Sequence, residues 1–254
     1  MLTRSEIKLI QSLRRKSKRD EEGLFLAEGR KAIEELLPYF RCKCLIGTEE
    51  ILQGVDCHKV ERVEVIDKKF PFTKISILDS PRFLLGIFVK RSHDLPLEWS
   101  GVGLSLILDS VQDPGNIGTI IRTAAWFGCK RIFMTEGTAD PYSPKVVQST
   151  MGALGQVELY ALAHACDFVS SALSQGIPVY GTFLDGTPLS EVCFSSPNED
   201  ALLIMGNEGR GVSEDLASLC DKRILIPPTN PSNHPESLNV AIATAILLSR
   251  WYLR

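Results

Sequence analysis

Polar residues and glycines are concentrated in three segments, each of which follows a short apolar run. The first segment reads DSVQDPGNIGTIIR and ends at Arg122. Its Pro-Gly pair predicts a tight turn, after which Asn116 is a good N-cap for a helix. Gly118 and Arg122 then share one face of that helix. The planar guanidinium of Arg122 suits a phosphate ligand, and a surface salt bridge is the alternative.

The second segment, Gly206–Gly211, reads GNEGRG and follows the apolar run ALLIM. Its glycines let backbone amides and carbonyls line a ligand. The pattern is neither a Walker loop nor a dinucleotide fingerprint. Glu208 either orients a partner group or is a solvent-exposed turn residue.

The third segment runs from Ile226 to Val240 and opens an apolar helix. Ser237 and Asn239 fall at or near the start of this helix, where free amides favour polar or anionic groups. The alternative is that Ser237 or Glu236 simply caps the helix. A lone histidine in such a loop, His234, is typical of a structural or solvated residue, and a catalytic base is the alternative.

Alternating strands and helices must position these segments. The apolar runs predict strands over residues 62–66, 86–89, 104–108, 131–134, 177–181, 201–205 and 223–226. Helical spacing predicts helices over residues 3–15, 29–37, 116–127, 145–151, 166–173, 213–220 and 236–252. This alternation indicates an α/β fold with a mainly parallel sheet and helices on both faces. The three segments follow strands 104–108, 201–205 and 223–226, as expected for a ligand site at the carboxyl ends of such strands.

Charge divides the chain into two parts. The net charge is −3, but residues 1–96 carry 19 Lys and Arg against 15 Asp and Glu. Residues 91–103 contain Pro, Gly and Ser and have no clear period, so we expect a small α/β domain over residues 1–95, a linker over 96–103 and a second domain over 104–254. A basic N-terminal part favours a polyanionic partner, with a solvated helix face as the alternative.

The remaining composition excludes several classes. The seven cysteines lack zinc-site spacing, so no metal is expected, and reduced thiols favour a reducing compartment, the cytoplasm. The N-terminus has no apolar signal region, and no run approaches 18 apolar residues, so neither secretion nor a membrane span is expected.

Together, the three segments resemble the three motifs of the SpoU/TrmH family, which belongs to the SPOUT class of RNA methyltransferases. The resemblance covers residues 104–252 in order and spacing. It implies a C-terminal domain with a deep trefoil knot, which general topology disfavours. The N-terminal stretch resembles, less sharply, a small substrate-binding domain similar to an RNA-binding ribosomal-protein fold.

The resemblance also implies an activity. Members transfer a methyl group from S-adenosylmethionine to a ribose 2′-hydroxyl of ribosomal or transfer RNA, and they act as homodimers with a site built across the interface. Arg122 matches the family's essential arginine; because guanidinium stays protonated, we expect it to orient an RNA phosphate and stabilise the developing alkoxide. The other residues of the expected polar shell are Asn116, Glu208, Ser237 and Asn239. The expected cofactor-binding residues are Gly206, Asn207, Gly211, Ile226, Leu238 and Val240.

The basic N-terminus is then expected to bind structured RNA, rRNA rather than tRNA. The residues expected to contact phosphates are Arg14, Arg15, Lys16, Lys18 and Arg19. One departure from the family is the Pro- and Asn-rich insertion at residues 228–236, next to the cofactor segment. The alternatives are a catalytically silent RNA-binding or ribosome-assembly module, a base-methylating knotted enzyme and, more remotely, a nucleotide-binding α/β enzyme.

Overall fold

A computed structural model describes residues 2–96, 99, 101–194, 196, 199–230 and 232–253. Positions 97, 98 and 100 of the expected linker and position 231 of the insertion lie outside these ranges. The helices, in chain order, are α1 (Arg4–Ser12), α2 (Lys16–Glu22), α3 (Arg30–Leu36), α4 (Glu49–Leu52), α5 (Pro114–Phe127), α6 (Pro144–Ser149), α7 (Ala165–Ser174), α8 (Glu214–Ala217) and α9 (Val240–Tyr252). The strands are β1 (Leu24–Glu28), β2 (Cys42–Gly47), β3 (Val63–Val65), β4 (Leu84–Val89), β5 (Leu104–Leu108), β6 (Arg131–Thr135), β7 (Glu158–Leu162), β8 (Val179–Pro188), β9 (Ala201–Met205) and β10 (Lys222–Leu225).

The chain forms two compact units. Unit 1 comprises Met1–Ser92 together with Asp140–Gln156, and unit 2 comprises His93–Ala139 and Val157–Arg254. The sheet of unit 1 has the order β1-β4-β2-β3. Its core combines residues from α1 with residues from β1, β2 and β4, among them Ile10, Leu26 and Leu85. Each fully buried aliphatic side chain of this kind contributes about 1.5–3 kcal/mol to folding.

A buried ion pair fastens the segment 140–156 within unit 1. The guanidinium of Arg19 contacts the Asp140 carboxylate at 2.5 Å, and the two side chains are 3% and 8% exposed. The same guanidinium donates to the carbonyls of Leu13 and Arg14. The expectation that Arg19 contacts RNA phosphate is therefore wrong, because its hydrogen-bonding capacity is already used inside the unit.

Unit 2 is built on a six-stranded, all-parallel sheet of order β10-β8-β9-β5-β6-β7. Every residue of the central strands β5 and β9 is buried, as expected for strands covered on both faces. The chain leaves β5 toward β6 on one side and later returns through β9 on the other. Such a switch point places a crevice at the carboxyl ends of β5 and β9. The expected α/β class with a parallel sheet is confirmed.

Several element boundaries differ from the predicted ones. The last helix begins at Val240, not at 236, and Asn239 is its N-cap. Helix α5 begins at Pro114, and its N-cap is Asp113 rather than Asn116. The strands β1, β2 and β7 and the helices α2 and α4 were not predicted. Among the described helices, none is long and apolar enough to cross a membrane.

Candidate cofactor and catalytic site

A cavity of about 430 Å³ opens at the carboxyl ends of the strands of unit 2. This volume falls within the range of small-molecule pockets. Glu208 and Ser237 of the expected polar shell line this cavity. All six residues expected to bind the cofactor also line it: Gly206, Asn207, Gly211, Ile226, Leu238 and Val240. The cavity wall therefore combines the second and third motifs, which are separated in sequence but adjacent in the fold.

The glycine-rich loop after β9 is closed by hydrogen bonds within its own backbone. Asn207 and Gly211 exchange two backbone hydrogen bonds of 2.9 Å. Gly211 has φ +72°, a conformation that side chains rarely adopt. A Cβ on Gly206 would lie 2.2 Å from the carbonyl carbon of Gly211. Glycine is thus required at both positions if the loop is to close and present its backbone groups to a ligand.

The side chain of Asn207 joins this loop to the first motif. Its amide nitrogen donates to the carbonyl of Ser110 at 2.7 Å, and its oxygen accepts from the amides of Gly209 and Arg210. Below it, the buried Asp109 accepts from the amide of Ser213 at 2.7 Å. These contacts fix the loops after β5 and β9 against each other.

A relay of three polar side chains connects all three motifs. Asn116 donates to Glu208 through a 2.9 Å hydrogen bond and accepts from the amide nitrogen of Asn239, also at 2.9 Å. The oxygen of Asn239 in turn accepts from the backbone amides of Ala241 and Ile242, which caps α9. The amide of Asn116 thus has both ends engaged. The structure brings together three residues of the expected polar shell, Asn116, Glu208 and Asn239.

The relay explains why Asn116 is not the N-cap of α5. The Asp113 carboxylate accepts from the Asn116 backbone amide at 2.9 Å, so Asp113 performs the capping. The side chain of Asn116 is then free to join the second and third motifs. Capping of α9 by Asn239 likewise leaves Ser237 outside the helix, where it lines the cavity. The interpretation of Ser237 as a helix cap is wrong for the same reason.

Glu208 is held as a carboxylate. Its partial burial alone raises its pKa, but hydrogen bonds from Asn116 and from the backbone amides of Gln112 and Asp113 outweigh this effect and lower the pKa below the ordinary carboxyl value. A negative charge therefore persists at the rim of the cavity at neutral pH.

Arg122 does not join these residues. It is exposed on α5, and its guanidinium makes no hydrogen bond or ion pair with any residue that the structure describes. It also does not line the cavity of its own chain. The alternative of a surface salt bridge is thus not realised among the described residues, and the cation faces outward.

Sequence reasoning missed the wall supplied by β8. The register of β8 against β10 jumps, so Arg223 pairs with Gly181 and Ile224 with Thr187. The residues between loop out of the ladder, and three of them, Thr182, Phe183 and Leu184, line the cavity. The Arg223 guanidinium lies 3.5 Å from the centre of the Phe183 ring, a cation–π contact that supports this wall. No spacing signal marks such a bulge in advance.

The expected RNA-binding residues occupy the turn between α1 and α2. Arg14, Arg15 and Lys16 are exposed. Lys16 pairs with Asp20 and Lys18 with Glu21, both at the surface, where such pairs contribute little and exchange readily. Nothing in the contacts of these four residues opposes phosphate binding, in contrast to Arg19. Among the described residues, no group of three or more His, Cys, Asp or Glu side chains is placed to hold a metal.

Comparison with known proteins identifies the family to which the chain belongs. The model of the SpoU rRNA Methylase family matches residues 103–249. The chain belongs to the SpoU rRNA methylase family. The model of the MRM3-like substrate binding domain matches residues 4–86, and together the two models account for both units.

Two solved structures resemble the chain over nearly its full length. A structure from Porphyromonas gingivalis, assigned to the TrmH family of RNA methyltransferases, is 44% identical with a TM-score of 0.92 and covers 100% of this chain and 99% of that one. The S-adenosylmethionine-bound rRNA methyltransferase of Sinorhizobium meliloti is 32% identical with a TM-score of 0.82, covering 98% and 95% of the two chains.

A curated relative shows the same extent. The 23S rRNA (guanosine(2553)-2′-O)-methyltransferase RlmP of Bacillus subtilis is 29% identical over 251 residues, covering 96% of this chain and 94% of the Bacillus protein. The chain spans much less of other curated relatives, for example 34% of the human mitochondrial rRNA methyltransferase 3, with which it shares 35% identity over 144 residues.

Proposed function

We propose that this protein transfers the methyl group of S-adenosylmethionine to a ribose 2′-hydroxyl of ribosomal RNA. The observation that carries the proposal is the cavity in which all six expected cofactor residues meet, beside a polar relay that joins the three motifs. Similarity to a 23S rRNA 2′-O-methyltransferase over nearly the whole chain favours rRNA over tRNA.

The cavity residues fit the cofactor. Backbone groups around Gly206, Ile226 and Leu238 would hold S-adenosylmethionine, with Thr182, Phe183 and Leu184 of the β8 bulge lining the same cavity. Bound S-adenosylmethionine supplies an electrophilic methyl group on a sulfonium sulfur. The chain aligns a ribose hydroxyl with that group and excludes water, which is the main catalytic demand of an in-line transfer. Asn116, Glu208 and Asn239 hold the three loops in register, and Ser237 offers a hydroxyl at the same wall.

Arg122 acts in this proposal as an electrostatic group. Its permanent charge orients the RNA phosphate beside the reacting ribose and stabilises the alkoxide as it develops. Because it faces outward from its own chain, we place it at the active site of a second copy. The role is tested by measuring the turnover of two variants, Arg122→Ala and Arg122→Lys. A loss of turnover that Lys does not restore supports the role, and near-full turnover by Arg122→Ala contradicts it.

The proposed homodimer forms through exposed apolar residues of α5 and α9. Trp126 is 85% exposed and lies one turn after Arg122 on α5, so the two side chains share a face. On α9, which packs against α5 through Phe127 and Tyr252, Ile242 is 52% exposed. A second copy covering this face buries the indole and carries Arg122 toward the partner's cavity. Trp126→Glu is expected to yield a monomer in light scattering that still binds S-adenosylmethionine but does not methylate RNA. An unchanged dimer contradicts this interface.

Three further features belong to the proposal. We place a trefoil knot in the segments after β9 and β10, which line the cavity. We place the protein in the cytoplasm, a reducing compartment in which the seven free cysteines stay reduced. We assign RNA binding to unit 1, which contains the whole region matched by the substrate-binding model, residues 4–86.

Calorimetry with S-adenosylmethionine and transfer of labelled methyl to total rRNA test the activity. The proposal predicts micromolar-range binding, typical of a cofactor, and incorporation of label. A silent module on the same scaffold binds no cofactor and transfers nothing, so that result refutes the proposal.

A further inference from the structure

Unit 1 presents an aromatic side chain in an unusual backbone conformation. Phe83, immediately before β4, has φ 56° and is 44% exposed. A bulky residue in this left-handed region is a true outlier, and such strain costs about 1–3 kcal/mol. The exposed ring recovers little of that cost by burial, since its described ring contact is with the buried Phe72, at a centroid distance of 5.4 Å. Folding stability therefore does not account for a phenylalanine at this position, and we expect the ring to have a binding role.

A buried carboxylate fixes the loop that presents this ring. Glu28, 1% exposed, accepts hydrogen bonds of 2.9 Å from the Ser76 hydroxyl, 2.7 Å from the Ile77 amide and 2.8 Å from the Arg82 amide. Both ends of the 76–82 loop are thus bound to one charged group in the core. A rigid loop loses little conformational freedom when it binds a ligand, so it presents Phe83 in a preorganised position.

Three basic side chains lie on, beside or against the loop that presents the ring. The guanidinium of Arg14 donates to the carbonyl of Ser76, and Gln11 donates to the carbonyl of Lys74 at 2.9 Å, so the turn after α1 lies against the start of this loop. Lys74 and Arg82 are exposed, and Arg82 makes no ion pair with any described residue. Within residues 76–82 the charged residues are Asp79 and Arg82, and Arg14 and Lys74 add two cations next to them.

We propose that Phe83 is a stacking platform for an unpaired base of the substrate RNA, with Arg14, Lys74 and Arg82 contacting the adjoining phosphates. Proteins recognise unpaired bases by stacking them on exposed aromatic rings, and cations beside the ring track the backbone. The inference rests on the proposed RNA methylation and identifies the face of unit 1 that holds the substrate. It adds a base-reading contact to the basic turn, which by itself supplies sequence-independent affinity.

The strained backbone allows a test that separates binding from folding. Phe83→Gly removes the ring but suits φ 56°, so thermal stability is expected to hold or rise. The KM for rRNA is expected to rise about five- to hundredfold, the range for loss of one stacked base, while kcat at saturating RNA and affinity for S-adenosylmethionine stay unchanged. Phe83→Tyr retains the KM. Val63→Ala, which trims another exposed apolar residue of unit 1, serves as the control and changes neither quantity.

A spectroscopic variant gives a direct readout of stacking. Phe83→Trp is titrated with a transcript centred on guanosine 2553 of 23S rRNA and, separately, with total rRNA. Its fluorescence is expected to change more than that of the parent protein in the same titrations. An unchanged KM in Phe83→Gly, or no such change in Phe83→Trp, overturns the inference, as does a parent protein that binds neither RNA. Loss of RNA affinity in Phe83→Gly alongside a parent protein that transfers no methyl group would support the platform and refute the proposed function.

Discussion

Replacing Asn116 by Ala tests whether the polar relay couples the three motifs. The change removes one hydrogen bond to the charged Glu208 and one from Asn239, both of 2.9 Å. A hydrogen bond to a charged group contributes about 1.5–3 kcal/mol and a neutral one about 1 kcal/mol. Because the relay is partly exposed, we expect a combined loss of about 1–2 kcal/mol, which corresponds to about five- to thirtyfold weaker binding of S-adenosylmethionine.

Calorimetry of cofactor binding is the assay, with thermal unfolding measured beside it. The free energy of unfolding is expected to fall by no more than about 1–2 kcal/mol, because Asp113 still caps α5 and Asn239 still caps α9. Gln175→Ala is the matched control: it also removes a side-chain amide from unit 2, one that bonds only to Ser171 among the described residues. Wild-type affinity and turnover in Asn116→Ala would show that the relay does not hold the cofactor segments.

Three other predictions concern single features of the two units. Arg19→Ala leaves the buried Asp140 carboxylate unpaired and should destabilise the protein by about 3–5 kcal/mol in chemical denaturation, whereas the exposed Arg15→Ala should not; equal stability of the two variants contradicts the buried pair. Gly206→Ala should weaken binding of S-adenosylmethionine at least about tenfold because its Cβ meets backbone at 2.2 Å, whereas at Gly209 the nearest atom is 3.7 Å away and Ala should be tolerated; calorimetry that finds the two alike refutes this reading of the loop. Since the pKa of Glu208 is lowered in the fold, its carboxylate contributes stability that is complete above the ordinary carboxyl pKa of 4.5 and is lost as pH falls through the lowered value; the free energy of unfolding, measured as pH falls below 4.5, should therefore show a decline that is smaller in Glu208→Gln, and an equal decline in both proteins contradicts the lowered pKa.

The catalytic motifs could be predicted from sequence because their signals are local. β5 and β9 are uninterrupted apolar runs between turn residues, and both strands have the predicted bounds, Leu104–Leu108 and Ala201–Met205. The loops that follow them carry glycines and amides, and a parallel sheet necessarily brings its strand ends to one edge. Strand order and loop chemistry therefore predicted where a ligand site lies, whereas the individual residues expected to bind the cofactor came from the resemblance to the SpoU/TrmH family.

The missed features depend on contacts between distant parts of the chain. Whether Asp113 or Asn116 caps α5 is decided by Glu208 and Asn239, which draw the Asn116 side chain away from its own helix. The role of Arg19 depends on Asp140, and nothing near residue 19 indicates that pairing. The strand β1 escaped prediction because its sequence, LFLAE, ends in a glutamate that is buried by the distant 76–82 loop.

The inclusion of residues 140–156 in unit 1 also had no signal in the sequence. These residues follow β6 and lie inside the stretch matched by the catalytic family model, yet they are compact with the N-terminal part. We therefore propose that the substrate-binding part is residues 1–92 with 140–156, rather than 1–95 alone. Deleting residues 1–95 removes Arg19 and leaves the buried Asp140 carboxylate without its ion-pair partner. Because that deletion would also destabilise the fold, point variants are the better test of RNA binding.

The position of the transferred methyl group tests the central claim most directly. Purified protein, labelled S-adenosylmethionine and 23S rRNA lacking modifications are incubated, and the RNA is digested to nucleosides for mass spectrometry. The account predicts one labelled 2′-O-methylnucleoside, absent from the reaction with Arg122→Ala. Label on a base, or no label in any nucleoside, would contradict it.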